Sequence, residues 1–151
     1  MYFGLGYNFY CFFDFKIWNE KHKEFLDRVE FFSGNFFKDP PPRADAYVLR
    51  WVLHNWSDTL SVKMLKNLRS SISSSDSSPI TKLVIIETLL DEPIRDNFVT
   101  QMDLTMLYFD LGKERTSQDF IKILSKSGWK YTRHVNCRGA YSIIEAVPDF
   151  N

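Results

Sequence analysis

At 151 residues the chain is about one domain long, enough to bury a core but too short to supply the strands of a larger fold. Nineteen Lys plus Arg balance nineteen Asp plus Glu, so no global field draws it to nucleic acid or to an anionic membrane. Cys11 and Cys137 match no metal-ligand spacing, and a reducing cytoplasm is the simplest setting for them; the sequence leaves a disulfide between them open.

The first stretch, "MYFGLGYNFYCFFDFKIW", is aromatic, lacks an early positive charge and is interrupted by Asn8 and Asp14. It resembles neither a signal peptide nor a membrane span, which needs about 20 mostly apolar residues. Its rings follow no period of 2 or 3.6, so something outside the segment must cover them. "NEKHKEFL" predicts a short helix over 19–26, and "DRVEFFSG" begins a strand that Gly34 ends. Pro40, Pro41 and Pro42 predict a stiff surface connection.

"AYVLRWVLH" is a near-continuous apolar run of strand length, which predicts a central strand covered on both faces. "SDTLSVKMLKNLRSSI" predicts a helix with Ser57 as N-cap and Leu60, Met64, Leu65 and Leu68 at helical spacing. After the polar loop "SSSDSSP" comes a second apolar strand, "KLVIIETLL", broken only by Glu87 and closed by the turn "DEPIRDN". A helix is predicted from about Phe98 to Phe109, with Val99, Met102, Leu104 or Thr105, and Met106 available for one face. "SQDFIKILSKSG" predicts another, with Ser117 capping its start and Gly128 its end. "KYTRHVN" and "YSIIEAVP" predict two antiparallel strands, because the connection through Arg138 and Gly139 is too short for a crossover. The order implies an α/β layer fold with a mainly parallel sheet, without repeats or an internal linker.

Ligands of an open parallel sheet gather at the carboxyl ends of its strands. His54 stands at such an end, Glu87 falls late in the next strand, and Glu114 sits in a loop between helices, so the three can converge on one edge. A neutral histidine has the pKa needed to take a hydroxyl proton near pH 7, and a carboxylate on its other nitrogen orients the ring and stabilises the imidazolium. Each residue also has a plainer reading. A solitary histidine after a strand is commonly a cap or surface residue, and Glu114, between Lys113 and Arg115, is by default solvated. Glu87 is more informative, since a carboxylate buried in an apolar strand needs a donor or a role. His22 and His134 read as surface or structural residues, and Asp103 and Asp110 as the polar face of a helix.

Taken together, "DRVEFFSGNFF", "ADAYVLRWVLHNWSD", "KLVIIETLL", "LGKERTSQDF" and "YSIIEA" resemble the plant and fungal small-molecule O-methyltransferases of the caffeic-acid and flavonoid type, from about Asp27 to Ala146. The resemblance implies a class I methyltransferase (Rossmann-like) fold and S-adenosylmethionine as cofactor. It makes His54 the general base for an acceptor hydroxyl and gives Glu87 and Glu114 orienting roles around it, with methyl transfer as an in-line displacement in which positioning matters. It assigns Asn35, Phe36 and Arg50 to the cofactor. Asn35 stands where the family shows an aspartate, and Asn55 replaces the aspartate of the usual "HDW"; both changes remove negative charge, which predicts weaker cofactor binding. Trp51, Met106 and Phe109 are the candidates to line the acceptor pocket, with core packing as the alternative for each.

The glycine-rich strand-turn-helix of the family, the acidic residue that follows it, and the family's helical dimerisation domain find no counterpart in the sequence. Gly4 and Gly6 of "FGLGYNF" follow no strand and read as a chance match, which also disfavours a nicotinamide dehydrogenase. The expectation is therefore an atypical aromatic leader over 1–26 and a partial catalytic domain over 27–151, truncated of the family's first strands and marginally folded because a strand edge is left unpaired. The expected partner is a small hydroxyl-bearing acceptor in the cytoplasm, with no nucleic acid or membrane. A non-catalytic remnant that pairs with a full-length relative is the alternative.

Overall fold

The computed structural model describes residues 2–3, 31–32, 34–72, 81–90, 93, 98–110 and 112–150, with the backbone alone at 2, 3, 31, 32, 109 and 110. The rings of the aromatic leader, the helix expected over 19–26, Cys11, His22, the serine-rich loop and most of the "DEPIRDN" turn lie outside the described residues.

Two short strands, β1 (Tyr2–Phe3) and β2 (Phe31–Phe32), pair in parallel. A four-stranded sheet is built from β3 (Ala46–Arg50), β4 (Lys82–Thr88), β5 (Trp129–Asn136) and β6 (Tyr141–Pro148), in the order β3-β4-β6-β5. β3 and β4 run parallel, with Arg50 opposite Ile86. The expected antiparallel pair β5–β6 forms, and β6 also pairs antiparallel with β4, so that Glu87 faces Ser142 and Thr88 faces Tyr141. β6 takes the inner place because every second residue along it is buried, whereas β5 is exposed along most of its length and suits an edge. Within this sheet the parallel ladder is therefore β3–β4, and the antiparallel character extends one strand further inward than the sequence implied.

The strand expected to be central is an edge among the described residues: β3 pairs with β4, and Val48 is 60% exposed. It is also shorter than its apolar run. Trp51 takes a left-handed backbone (φ 54°), and Leu53–Asn55 wind into a 3₁₀ turn, so His54 leaves the strand direction.

Helix α1 (Asp58–Arg69) starts as expected, Ser57 accepting the N–H of Leu60, and buries Met64 and Leu65. Helix α2 (Phe98–Asp110) leaves Phe98, Leu104, Leu107 and Tyr108 exposed. Helix α3 (Ser117–Lys126) is capped by Thr116, not Ser117, through a reciprocal box with Asp119; Gly128 follows the C-cap at φ 78°. Phe120, Ile123 and Leu124 on α3 meet Leu65, Leu83, Ile85 and Trp129 in one core. The Trp129 indole N–H satisfies itself on the Leu65 carbonyl at 3.0 Å. Leu53, Leu65, Leu83, Ile85 and Leu124 are fully buried, worth roughly 1.5–3 kcal/mol each.

Alternation along β4 positions the chemistry. Leu83, Ile85 and Glu87 share the core-facing side, so the same pleat that buries two aliphatic residues delivers a carboxylate to the end of the strand, 1% exposed. No helix among the described residues is long and apolar enough to cross a membrane.

Candidate active site

The 3₁₀ turn holds His54 at 8% exposure, and Glu87 holds the turn. Glu87 Oε1 accepts the N–H groups of Val52 (3.0 Å) and Leu53 (2.9 Å), donors that a helical turn leaves free at its start. Its Oε2 is buried without a hydrogen-bond partner and lies 3.9 Å from His54 Nδ1. Glu114 approaches the same nitrogen from the loop before α3, with Oε1 at 3.1 Å, while its other oxygen accepts the Thr88 hydroxyl. The Glu114 N–H donates to Asp103 Oδ1 on α2 at 2.7 Å. The histidine and both glutamates named from the sequence are thus brought together from a turn, a strand and a loop.

The 112–115 loop closes over that turn. Lys113 donates its N–H to the His54 carbonyl at 2.8 Å, and the backbone approach is so close that a Cβ on Gly112 would lie 2.3 Å from that oxygen.

Burial alone lowers the His54 pKa. The hydrogen bond with Glu114 and the charges of Glu87 and Glu114 outweigh burial and the opposing Arg115 charge, leaving the imidazole above its ordinary 6.5. For Glu87 burial dominates and raises the pKa, with the Glu114 charge adding to it and the His54 charge and the two backbone donors opposing it. One ligand atom from each of the three residues lies within 4.8 Å of the others, a spacing that also suits a cation. Protein donors, however, already satisfy Glu87 Oε1 and both Glu114 oxygens. With Nδ1 against Glu114, the tautomer that donates from Nδ1 leaves Nε2 as a proton acceptor, and such a set can serve as a base with two orienting carboxylates.

A cleft of about 270 Å³ opens beside His54, bordered by Trp51, Thr88, Phe98, Met102 and Tyr141 among others. This is near the lower end of the range for small-molecule sites, about 300–1,000 Å³. Trp51 is 43% exposed, and its left-handed backbone costs on the order of 1–3 kcal/mol, a strain typical of ligand sites. Its ring lies 5.5 Å from Tyr141 and 6.2 Å from His54, with the Arg50 guanidinium 5.5 Å from its centroid. Asn55 donates to the Trp51 carbonyl at 3.1 Å, which an aspartate could not do.

Of the residues expected along the pocket, Trp51 borders the cleft, whereas Met106 does not; Met102, one turn earlier on α2, does. The Phe109 side chain lies outside the described residues. Asn35 and Phe36 are elsewhere: Asn35 Oδ1 accepts the Phe37 N–H at 2.9 Å, and Phe36 packs edge-on against Phe37 (4.5 Å) and Trp56 (5.7 Å). Sequence reasoning missed Thr88, Met102, Gly112, Arg115 and Tyr141, and it read Asp103 as surface. For Asp103 no local signal existed, because Thr100 and Asp110 fall on the same side of the helix and make it read as a polar face.

The O-methyltransferase domain model matches residues 11–130, beginning inside the stretch set apart as a leader. An isoflavone 4'-O-methyltransferase of Glycyrrhiza echinata is 37% identical over 126 residues, 81% of this chain and 34% of that protein. Human N-acetylserotonin methyltransferase, solved in complex with SAM, superposes with a TM-score of 0.74 at 32% identity, over 86% of this chain and 36% of that one. The mitomycin 7-O-methyltransferase MmcR gives 0.75 at 30% identity, over 88% and 37%. The chain spans about a third of the length of the curated relatives it matches. With most of its residues matched, the chain belongs to the O-methyltransferase domain family.

Proposed function

We propose that this chain forms the acceptor-activating side of a cytoplasmic, S-adenosylmethionine-dependent O-methyltransferase whose acceptor is a hydroxyl on a small aromatic metabolite. One observation carries the reading: two carboxylates converge on one imidazole nitrogen beside an aromatic cleft. His54 Nε2 takes the proton of an acceptor hydroxyl seated in the cleft, and Glu114 and Glu87 stabilise the imidazolium as it forms. Trp51, Tyr141 and Met102 hold the acceptor ring so that its oxygen is presented for attack. S-adenosylmethionine, when bound, supplies the methyl group from its sulfonium centre.

Asn35, Phe36 and Arg50, the residues assigned to the cofactor by resemblance, do not form a cradle as a set. Asn35 Oδ1 is engaged in its own turn, Phe36 packs on Trp56, and Arg50 lies over Trp51. Among the described glycines, the close backbone approach is at Gly112 and faces His54, while a Cβ on Gly34 would meet nothing nearer than 3.7 Å.

The test is transfer of a labelled methyl group from S-adenosylmethionine to a panel of hydroxylated flavonoids, by the chain and by His54→Ala. The expected result is a methylated ether with the chain and none with the variant, at unchanged cofactor affinity. Undiminished turnover by His54→Ala removes the base from the mechanism. Absence of both transfer and cofactor binding in the unmodified chain favours a non-catalytic relative.

A further inference from the structure

We propose that Arg115 is a positioning residue for His54, its guanidinium tying together the turn that carries the imidazole while its neighbour Glu114 supplies the orienting carboxylate. The inference rests on His54 acting as the base. Arg115 is 1% exposed although it lies in a loop. Its Nη1 donates to the Leu53 carbonyl at 2.8 Å, and Nη2 donates to the Trp56 carbonyl at 2.7 Å and to Ser61 Oγ at 3.1 Å. Nε donates to Asp58 Oδ1 at 2.9 Å. Leu53 and Trp56 bracket His54 and Asn55, so one planar fork spans the whole turn from its carbonyl side while Glu87 holds its N–H side. The Trp56 carbonyl is one that a short helical turn leaves free at its end, and the Leu53 carbonyl takes the guanidinium in addition to the Trp56 N–H at 3.1 Å.

A lysine in this place cannot reproduce the arrangement. Its ammonium is a compact point charge, whereas the guanidinium presents five donors in a fixed plane. The fork also couples two functions in sequence: any shift of Arg115 relative to the turn displaces Glu114 from Nδ1, because the two residues are adjacent. The charged and titratable groups around the imidazole are Glu87 from β4, Glu114 and Arg115 from the loop, and Tyr141 from β6 across the cleft; Asp103 of α2 reaches only the Glu114 N–H. Arg115 opposes protonation of His54 while the two glutamates favour it.

Proton and carbon NMR of the His54 ring, assigned with His54→Gln among the three histidines, reads the placement without relying on turnover. Arg115→Lys keeps the charge and loses the fork. The expected result is a lower His54 pKa, because burial prevails once Glu114 drifts from Nδ1. Arg69→Lys is the control for a purely structural guanidinium: Arg69 also holds backbone carbonyls, of Gly128, Ile72 and Asp149, away from the site. It should leave the His54 titration unchanged. Unaltered titration in folded Arg115→Lys, or an equal shift in Arg69→Lys, overturns the proposal.

Should Arg115→Lys fail to fold, Asp58→Ala releases Nε together with Lys113 Nζ, and Lys113→Ala, which leaves the Asp58–Arg115 pair intact and should not move the His54 titration, is its control. In about 1 M salt, where the Debye length is about 3 Å and the lost surface charge is screened, a smaller fall in the same direction supports the proposal and no change overturns it. If the chain transfers methyl groups, Arg115→Lys lowers kcat roughly tenfold or more at an unchanged acceptor KM. A shifted titration in a chain that transfers none leaves the positioning role standing and removes the catalytic reading instead.

Discussion

Glu87 grips the turn that carries His54 with one carboxylate oxygen and directs the other at the ring of that histidine, 3.9 Å from Nδ1. A single side chain thus fixes the backbone of the base and sets its electrostatic surroundings. The two tasks separate by mutation. Glu87→Gln keeps an acceptor for the Val52 and Leu53 N–H groups but removes the charge, so stability changes by no more than about 1 kcal/mol while kcat falls roughly 10- to 100-fold. Glu87→Ala also strands two buried donors, at about 1–3 kcal/mol each, and should lower the denaturant midpoint sharply. Equal loss of activity with equal loss of stability in both variants would refute the separation.

The direction of the His54 shift fixes a pH dependence. Its pKa is raised in the folded chain above 6.5, so the stability it contributes is fully present below that pH and is lost as pH rises through the folded value. Glu87 is also raised and loses its contribution as pH rises, from a lower starting point near 4.5. Denaturation midpoints of the chain and of His54→Gln should therefore converge as pH rises from 6.5 through the folded His54 value. The methyl-transfer rate should climb over the same interval, because the neutral imidazole is the base. Midpoints that diverge there would reverse the sign of the account.

Gly112 is required by proximity. A Cβ there would meet the His54 carbonyl oxygen at 2.3 Å, a backbone atom that cannot swing aside. Gly112→Ala should cost about 1–3 kcal/mol by overpacking and depress turnover along with stability. Gly139→Ala is the comparison: φ is 90° with open space around it, so it should cost roughly 1–2 kcal/mol and leave turnover intact. Thermal melts and initial rates of the two variants check this.

Met102 and Met106 lie one turn apart on α2, and only Met102 borders the cleft. Met102→Ala should raise the acceptor KM roughly 5- to 30-fold, corresponding to about 1–2 kcal/mol of lost apolar contact, whereas Met106→Ala should leave it within about twofold. Matching KM values for the two variants would place the acceptor elsewhere.

His54 and Glu87 were legible because ionisable groups at the ends of apolar strands stand out against their surroundings, whereas Glu114, in a loop between Lys113 and Arg115, reads as solvated and stood out through the resemblance of "LGKERTSQDF". The Ser57 cap and the antiparallel pair β5–β6 were legible because both are local. The break in "AYVLRWVLH" was not, since hydrophobic periodicity is blind to one left-handed residue; the turn after Trp51 is held by Glu87, 35 positions away. The α3 cap did have a signal: Thr116 with Asp119 three residues later forms the reciprocal box, and Ser117 beside it drew the assignment one place too far. Arg115 was invisible for a physical reason. A charged loop residue reads as solvated, and its burial is favourable because the Leu53 and Trp56 carbonyls, Ser61 and the Asp58 carboxylate gather around the guanidinium from a distant stretch of the chain.

The central claim is that His54 presents a bare Nε2 to the cleft because its Nδ1 proton is held by Glu114. The tautomer is read directly from the two ring nitrogens in a long-range proton–nitrogen NMR spectrum above the His54 pKa. The account predicts a protonated Nδ1 and an unprotonated Nε2. A proton on Nε2 with Nδ1 bare would contradict it, for the ring would then have no lone pair facing the acceptor.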